Sequence, residues 1–95
     1  MDELINKYIN IVAYSTGFDV NDADNKVYLT ALIKAGIADM KKSGVPEEVI
    51  LTNDLVLTTL IIFVTDNTNM TPGSFVLSQL YIHNVAKLRM NSYVS

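Results

Sequence analysis

The sequence has no cysteine and no tryptophan, and it holds a single histidine among its 95 residues. Without cysteine the chain has neither a disulfide framework nor a thiolate for catalysis or metal binding. One histidine cannot supply a cluster of imidazole ligands, and no serine or cysteine constellation surrounds it. The four glycines are scattered, so the sequence has no glycine-rich phosphate loop. We therefore expect no enzyme, no catalytic residue, no metal and no cofactor.

Charged residues are also scarce. They make up 18% of the chain, whereas 49% of it is hydrophobic, and an average globular chain is roughly 25% charged. A domain of this length buries only about two-thirds of the surface of its unfolded chain. We therefore expect part of the apolar surface to face another subunit or another protein. The net charge of −3 argues against a stand-alone nucleic-acid-binding protein, which is usually basic.

Long hydrophobic runs are missing as well. The longest one, Leu55 to Val64, is interrupted by Thr58 and Thr59. It falls far short of the roughly 20 residues that a helix needs to cross a bilayer. The N-terminal stretch MDELINKYIN is acidic and lacks the basic and apolar regions of a signal peptide. These features predict a soluble intracellular protein with no membrane partner.

Helical periodicity is the main structural signal in the sequence. It predicts an all-α fold, a small bundle of about four helices forming a single domain over residues 1–90. The predicted helices span residues 2–15, 22–42 and 53–66, and a last segment that starts at Thr71 or Ser74 and ends near Leu88. The third segment is rich in β-branched residues, which also suit a strand, but its long apolar run without alternation favours a helix.

Capping residues mark the predicted helix ends. Gly17 follows the first helix, and Gly44 follows the second. Asn21 or Asp22 is suited to begin the second helix, because a short side-chain oxygen accepts a hydrogen bond from a backbone N–H. Pro46 could start a short helical turn. The polar stretch FVTDNTNMTPGSF then reverses the chain between two apolar segments.

Three aspartates before the second helix, Asp19, Asp22 and Asp24, invite a calcium interpretation. An EF-hand loop needs glycine at its sixth position and glutamate at its twelfth. Counted from Asp19, those positions hold Asp24 and Thr30, so the loop does not match. We predict that this acidic loop caps the helix and faces solvent or a channel.

Other polar residues have ordinary explanations. His83 falls on the most polar face of the last segment, and we expect it to be solvated. The lysine ridge of the second helix consists of Lys26, Thr30, Lys34 and Lys41. We expect it to be a solvated face, because three lysines contribute only weakly to phosphate binding. Asp39 lies on an apolar side of the same helix, so it is either exposed at a frayed end or buried and paired with a lysine or arginine.

The order of the parts carries a family resemblance. The segment ALIKAGIADMKKSGV is rich in alanine, isoleucine and lysine and ends near a glycine. The apolar segment LVLTTLIIFV runs into Thr65-Asp66-Asn67, and LSQLYIHNVAKLRM contains Leu88-Arg89 just before its last residue. Over residues 31–90 this order resembles the small head–tail connector (adaptor) proteins of long-tailed bacteriophages. Thr68 departs from the pattern, because that family often has arginine there.

The resemblance implies a structural protein. Such connectors are all-α and form a ring, twelvefold in the virion, beneath the portal vertex. Genomic DNA passes through the lumen without specific binding, and an acidic subunit suits that role because fixed positive charge would hold phosphates. The ring joins the portal protein to the next neck or tail-completion protein. The chain is therefore expected in the neck of the virion, after synthesis in the cytoplasm of the bacterial host.

Two sets of residues are predicted to form interfaces. A second apolar stripe on the last segment, with two residues of the third helix, is expected to contact neighbouring subunits. This set consists of Leu55, Ile62, Phe75, Ile82, Ala86 and Arg89. The C-terminal tail, residues 91–95, is expected to be extended and to dock on the portal by adding a strand to a sheet edge. The portal-binding set consists of Met90, Asn91, Ser92, Tyr93, Val94 and Ser95. The C-terminal segments of the connector family similarly reach into the clip region of the portal.

An alternative function belongs to a different class. The chain could be a small cytosolic regulatory protein, a helical homodimer whose lysine ridge contacts DNA or a protein partner. Binding to linear DNA that weakens steeply as salt rises would favour this alternative. A stable dimer that ignores the portal would count against the connector.

Overall fold

A computed structural model describes residues 2–68 and 78–94, the last four of these through their backbone alone. These ranges contain five helices, which are α1 (Asp2–Thr16), α2 (Ala23–Lys42), α3 (Glu47–Thr52), α4 (Leu55–Thr68) and α5 (Gln79–Val94). No strand occurs in the described ranges, so the predicted all-α class is confirmed. The short helical turn predicted after Pro46 is a helix of 6 residues, which raises the number of helices above the predicted four.

α1 and α2 end in the same way. Gly17 and Gly44 have positive φ angles of 83° and 100°, a conformation that costs glycine little. The next residue after each glycine bonds back into the helix, from Phe18 N–H to the Ala13 carbonyl and from Val45 N–H to the Met40 carbonyl, each at 3.0 Å. This is the pattern of a Schellman motif, and it confirms both predicted helix ends.

α4 occupies the centre of the fold. It packs against α1, α2 and α5, and four of its residues, Val56, Thr59, Leu60 and Val64, have no solvent exposure. α2 approaches α4 most closely at Gly36, where an added Cβ would lie 2.9 Å from Leu60 Cδ2 and 3.1 Å from Phe63 Cδ1. Glycine therefore suits this position because the neighbouring helix occupies the space of a side chain.

Asp66 and Ser78 hold the two sides of the chain reversal together. Ser78 N–H donates to Asp66 Oδ2 at 3.1 Å, and Ser78 Oγ accepts from Tyr81 N–H at 3.3 Å. Ser78 is not helical and acts as the cap of α5. The prediction that the last helix already runs through this position is therefore wrong, since a capping side chain at Ser78 starts α5 at Gln79. The candidate starts at Thr71 and Ser74 lie outside the described residues.

The C-terminal residues also differ from the prediction. α5 continues through Asn91, Ser92 and Tyr93 to Val94, so an extended tail is wrong for residues 91–94. Asparagine and serine in a helix cost only about 0.5–0.7 kcal/mol each relative to alanine. Continuing an existing helix adds one hydrogen bond for each residue that is fixed, and this outweighs the weak local preference. Ser95 lies outside the described residues.

Candidate interaction surfaces

A hydrogen bond between two helices forms the centre of one surface. The Tyr81 hydroxyl, on α5, donates to Asp39 Oδ2, on α2, at 2.6 Å. Tyr81 is 2% exposed. Burial raises the pKa of Tyr81 well above its usual value, and the hydrogen bond to Asp39 and the negative charge of that carboxylate raise it further. Tyr81 is therefore a fixed, neutral donor at physiological pH.

A shallow cleft of about 230 Å³ opens beside this bond and is called the α2–α5 cleft below. Its walls are formed by Asp39, Ser43, Tyr81, Ile82, Val85, Ala86 and Arg89. Arg89 Nη1 donates to the Ser43 carbonyl at 3.3 Å, at the C-terminal end of α2. The cleft therefore combines aliphatic walls with one acidic and one basic residue. Such a surface suits a side chain of another protein.

The predicted subunit-interface residues divide between two locations. Ile82, Ala86 and Arg89 all line the α2–α5 cleft, and Ile82 is 50% exposed. Leu55 and Ile62 lie on α4 and are half-buried, packed against the core of their own chain. Phe75 lies outside the described residues. The structure thus brings three of the six residues together on one accessible surface.

Exposed apolar side chains are concentrated on the helices that flank α4. The large ones are Ile11, Tyr14, Val27, Tyr28, Leu51, Leu80, Ile82 and Met90. Three of them belong to α5, where Leu80 is 56% and Met90 is 60% exposed. Met90 is the one residue of the predicted portal-binding set whose side chain the structure describes. Water-exposed side chains of this size are candidates for contact with another chain.

The acidic loop caps α2, as predicted. Asp22 Oδ1 accepts from the backbone N–H groups of Asp24 and Asn25 at 2.9 and 3.2 Å. Asp19 Oδ1 accepts from Asn21 N–H at 2.9 Å. All three aspartates are exposed. The side chains of Asp19 and Asp22 therefore order the start of the helix, and no group of three acidic or histidine side chains suited to a metal ion occurs in the part of the chain that the structure describes.

Two residues of the lysine ridge make contacts within the chain. Lys26, Lys34 and Lys41 are exposed, and Lys41 Nζ lies 3.2 Å from Glu47 Oε1. Thr30 is half-buried, and its hydroxyl donates to the Lys26 carbonyl at 2.7 Å. The ridge thus offers three cations, one of them beside a carboxylate. His83 is exposed on α5.

The sequence analysis did not predict which residue pairs with Asp39. A lysine or arginine was expected for a buried carboxylate here, and the structure provides the Tyr81 hydroxyl, with Arg89 on the same cleft. Tyr81 falls on the main apolar stripe of its helix, where a tyrosine is normally counted as core. A polar group at the tip of an otherwise apolar side chain usually needs a partner when it is buried. The sequence could therefore have indicated the pairing, because the Tyr81 hydroxyl and the Asp39 carboxylate both lie on apolar helix faces and both need a partner.

Comparison with family models, curated proteins and solved structures finds no match for this chain. Among the described residues, no helix is both long enough and apolar enough to span a bilayer.

Proposed function

We propose that the protein is a structural head–tail connector of a tailed bacteriophage. In this proposal its copies form a ring below the portal, DNA passes through the ring, and the ring joins the portal to the neck or tail. The observation that carries the proposal is the α2–α5 cleft, where an accessible isoleucine, an acidic and a basic residue lie together on a small all-α unit. The resemblance over residues 31–90 is the reason for proposing a ring at the portal.

The composition of the cleft supports a contact with another subunit. Asp39 and Arg89 present opposite charges on one surface, and Ile82 lies between them in the chain with half of its side chain exposed. An interface with an apolar contact and neighbouring polar groups fits the composition of protein–protein contacts. A head-to-tail contact closes into a ring when its rotation divides a full turn.

The acidic loop supports a DNA passage in the same proposal. Asp19, Asp22 and Asp24 are exposed, so they could line a lumen without a bound cation. A lumen with negative charge would let phosphates slide past, because basic side chains are what hold DNA through counterion release. Its neutral and acidic residues would give the passing DNA no tight binding site.

Native mass spectrometry tests the proposal directly. The protein would be measured alone and after mixing with the portal protein encoded in the same genome. We expect a ring-sized assembly or a complex with the portal. Ile82→Lys should prevent assembly and leave the helical content unchanged, because Ile82 is 50% exposed. His83→Lys, at the neighbouring exposed position, is the matched control and should assemble normally.

Two results would count against the connector. The first is a protein that neither forms larger assemblies nor binds the portal at any concentration tested. The second is equal behaviour of Ile82→Lys and His83→Lys, which would remove the α2–α5 cleft from the interface. Strong binding to linear DNA that falls steeply with salt would instead favour the alternative, a regulatory protein acting through the lysine ridge.

A further inference from the structure

The outer face of α2 carries an exposed pattern that the connector proposal does not use. We define this outer face as Asp24, Val27, Ala31, Lys34, Ala38 and Lys41, all of which are exposed. Val27 is the largest apolar side chain of this face and is 71% exposed. The buried side of the same helix consists of Leu29, Ile33, Gly36, Ile37 and Met40. α2 is thus packed on one side against its own chain and has apolar residues on the other.

Two shallow grooves follow this face. One, of about 420 Å³, is lined by Val27, Ala31 and Lys34 with Lys26 and Thr30. The other, of about 240 Å³, is lined by Lys34, Ala38 and Lys41 with residues of α1. Because Lys34 belongs to both, the grooves together follow α2 from Val27 to Lys41, a length of roughly 20 Å at the rise of an α-helix.

The spacing on the outer face is that of a helix-pairing seam. Successive residues are three and four positions apart, the a and d spacing of a heptad. Asp24, Ala31 and Ala38 take the a positions, and Val27, Lys34 and Lys41 take the d positions. The alanines leave little side chain between two helix backbones, so a partner helix can approach closely.

We propose that this face pairs with the same face of a second copy of the chain, with the two α2 helices antiparallel. The two-fold axis passes between Leu32 and Ile33. Each a residue of one helix then faces a d residue of the other. Asp24 then faces Lys41 of the second copy, Val27 faces Ala38, and Ala31 faces Lys34. Each contact occurs twice, as an isologous interface requires.

Charge complementarity selects this partner and this direction. Asp24 lies in the first turn of α2 and Lys41 in the last turn. In the antiparallel pair each end of the seam joins Asp24 to Lys41, which also lies 3.2 Å from Glu47 of its own chain, and the two helix dipoles oppose each other favourably. In a parallel pair Asp24 would meet Asp24, and Lys41 would meet Lys41. The acidic start of α2 therefore meets the basic end of the second α2, and the antiparallel direction is favoured.

Lys34 limits the affinity. The two copies of Lys34 lie on either side of the two-fold axis, separated by roughly 4.5 Å along the direction of the helices. Their aliphatic stems can cover the two Ala31 side chains while the ammonium groups turn outward, but like charges this close repel each other. An interface of one helix from each copy is also small. The pair is therefore a reversible dimer whose population rises with concentration and that tightens when the charge of Lys34 is balanced.

A pair of substitutions at one position provides the test. Ala31 is exposed and faces Lys34 of the second copy, so Ala31→Glu should tighten the dimer and Ala31→Lys should weaken it. Sedimentation equilibrium would be measured from roughly 10 µM to 1 mM, a range that brackets weak self-association. We expect a change of about tenfold in each direction, because an ionic contact is gained or a repulsion added at two symmetric places. Added salt should reduce both effects.

The direction of the pair has its own test. Asp24→Lys and Lys41→Asp should each weaken the dimer. The double variant should restore it, because the exchanged charges would again face each other as opposite pairs across an antiparallel seam. A parallel pair would stay weak in the double variant. Circular dichroism would verify that each variant keeps its helices, and His83→Lys, on α5, would serve as a control with unchanged dimerisation.

Three outcomes would overturn the proposal: a wild-type chain that stays monomeric up to the highest concentration, equal effects of Ala31→Glu and Ala31→Lys, or a double variant no tighter than the single ones. The pairing is also independent of the proposed ring. Ile82→Lys lies on a different helix and should leave the dimer intact, so loss of ring assembly and loss of dimerisation are distinguishable results.

Discussion

Tyr81 and Asp39 are joined by a hydrogen bond of 2.6 Å although they lie 42 residues apart in the chain. The bond connects α5 to α2, two helices that each pack against α4. Both side chains line the α2–α5 cleft. The pairing therefore fixes the shape of the cleft, and it also makes the stability of the fold sensitive to alkali.

The first prediction concerns alkaline pH. The pKa of Tyr81 is raised above its usual 10.0 in the folded chain, so the stabilisation by its proton is complete below pH 10 and is lost as pH rises further. The free energy of unfolding should fall with pH above about 10 and fall less steeply in Tyr81→Phe. At neutral pH that variant should be about 1 kcal/mol less stable, because one hydrogen bond is missing.

Denaturant titrations between about pH 8 and pH 11 would measure this slope. Tyr14→Phe is the control, because Tyr14 is 91% exposed and should leave the profile unchanged. Part of the slope should remain in Tyr81→Phe, since burial and the charge of Asp54 also raise the pKa of Tyr8. An identical slope in the wild type and in Tyr81→Phe would show that this tyrosine is not the source.

The second prediction concerns the close approach of α2 and α4 at Gly36. Gly36→Ala adds a Cβ 2.9 Å from Leu60 Cδ2, and Leu60 has no exposed surface into which to move. Overpacking of about 1–3 kcal/mol should outweigh the helix propensity of about 1 kcal/mol that alanine adds. We expect Gly36→Ala to lower the free energy of unfolding by about 1 kcal/mol.

The same substitution in a chain with a smaller residue at position 60 tests whether Leu60 is the cause. In a chain that already carries Leu60→Ala, the contact at 2.9 Å is gone and the one with Phe63 Cδ1 at 3.1 Å remains, so Gly36→Ala should be less destabilising there. The free energies of unfolding of the four chains form a double-mutant cycle whose coupling term should show this difference. If Gly36→Ala has the same effect in both backgrounds, the contact with Leu60 does not decide the residue at position 36.

The third prediction concerns the acidic loop. Asp22→Ala removes the cap of α2 and should cost about 1 kcal/mol, whereas Asp24→Ala removes no capping bond and should cost less. Calcium should leave the melting temperature unchanged, because the Asp22 oxygen already accepts two backbone hydrogen bonds. Differential scanning fluorimetry with calcium, and with sodium at matched ionic strength, measures this. A clear rise with calcium alone would contradict the capping role.

The fourth prediction concerns the C-terminal residues and rests on the connector proposal. Deleting residues 91–95 shortens α5 by its last turn, which should change the free energy of unfolding by less than about 1 kcal/mol. Binding to the portal should be lost. Residues 91–94 form the last turn of α5, so the truncation removes helix and not an extended segment.

A double alanine variant tests two side chains of this turn without removing it. Asn91→Ala combined with Ser92→Ala favours the helix by about 1 kcal/mol and removes two side chains of the predicted set, so portal binding should weaken while the helix remains. Co-purification with the portal and a titration of its affinity would measure both variants. A truncated protein that binds the portal normally would remove residues 91–95 from the docking surface.

Several helix ends were predictable from the sequence because they depend on local chemistry. Gly17, Gly44 and Asp22 act at the positions where a positive φ or a capping oxygen is needed, and the residues involved are adjacent in the chain. The start of α5 was not predictable in the same way. Three residues, Thr71, Ser74 and Ser78, have suitable side chains, and the choice of Ser78 depends on Asp66, which lies in another helix.

Contacts between distant residues also limit how well the candidate surfaces could be predicted from the sequence. Ile82, Ala86 and Arg89 share a helix stripe, so their place on one surface followed from spacing. Leu55 and Ile62 share a heptad spacing too, but α4 is covered on several sides, so their stripe packs partly against the core. Periodicity identifies which residues share a face. How many neighbours a helix has depends on the whole fold.

The bond between Asp66 and Ser78 has a consequence for the order of folding. It closes a loop of 12 residues, whereas the bond between Tyr81 and Asp39 closes one of 42. The entropy of closing the longer loop is less favourable by roughly 1 kcal/mol, so α4 and α5 can meet before α2 joins them. We therefore predict that substitutions at the Asp66–Ser78 bond slow folding, whereas those at Asp39 mainly speed unfolding.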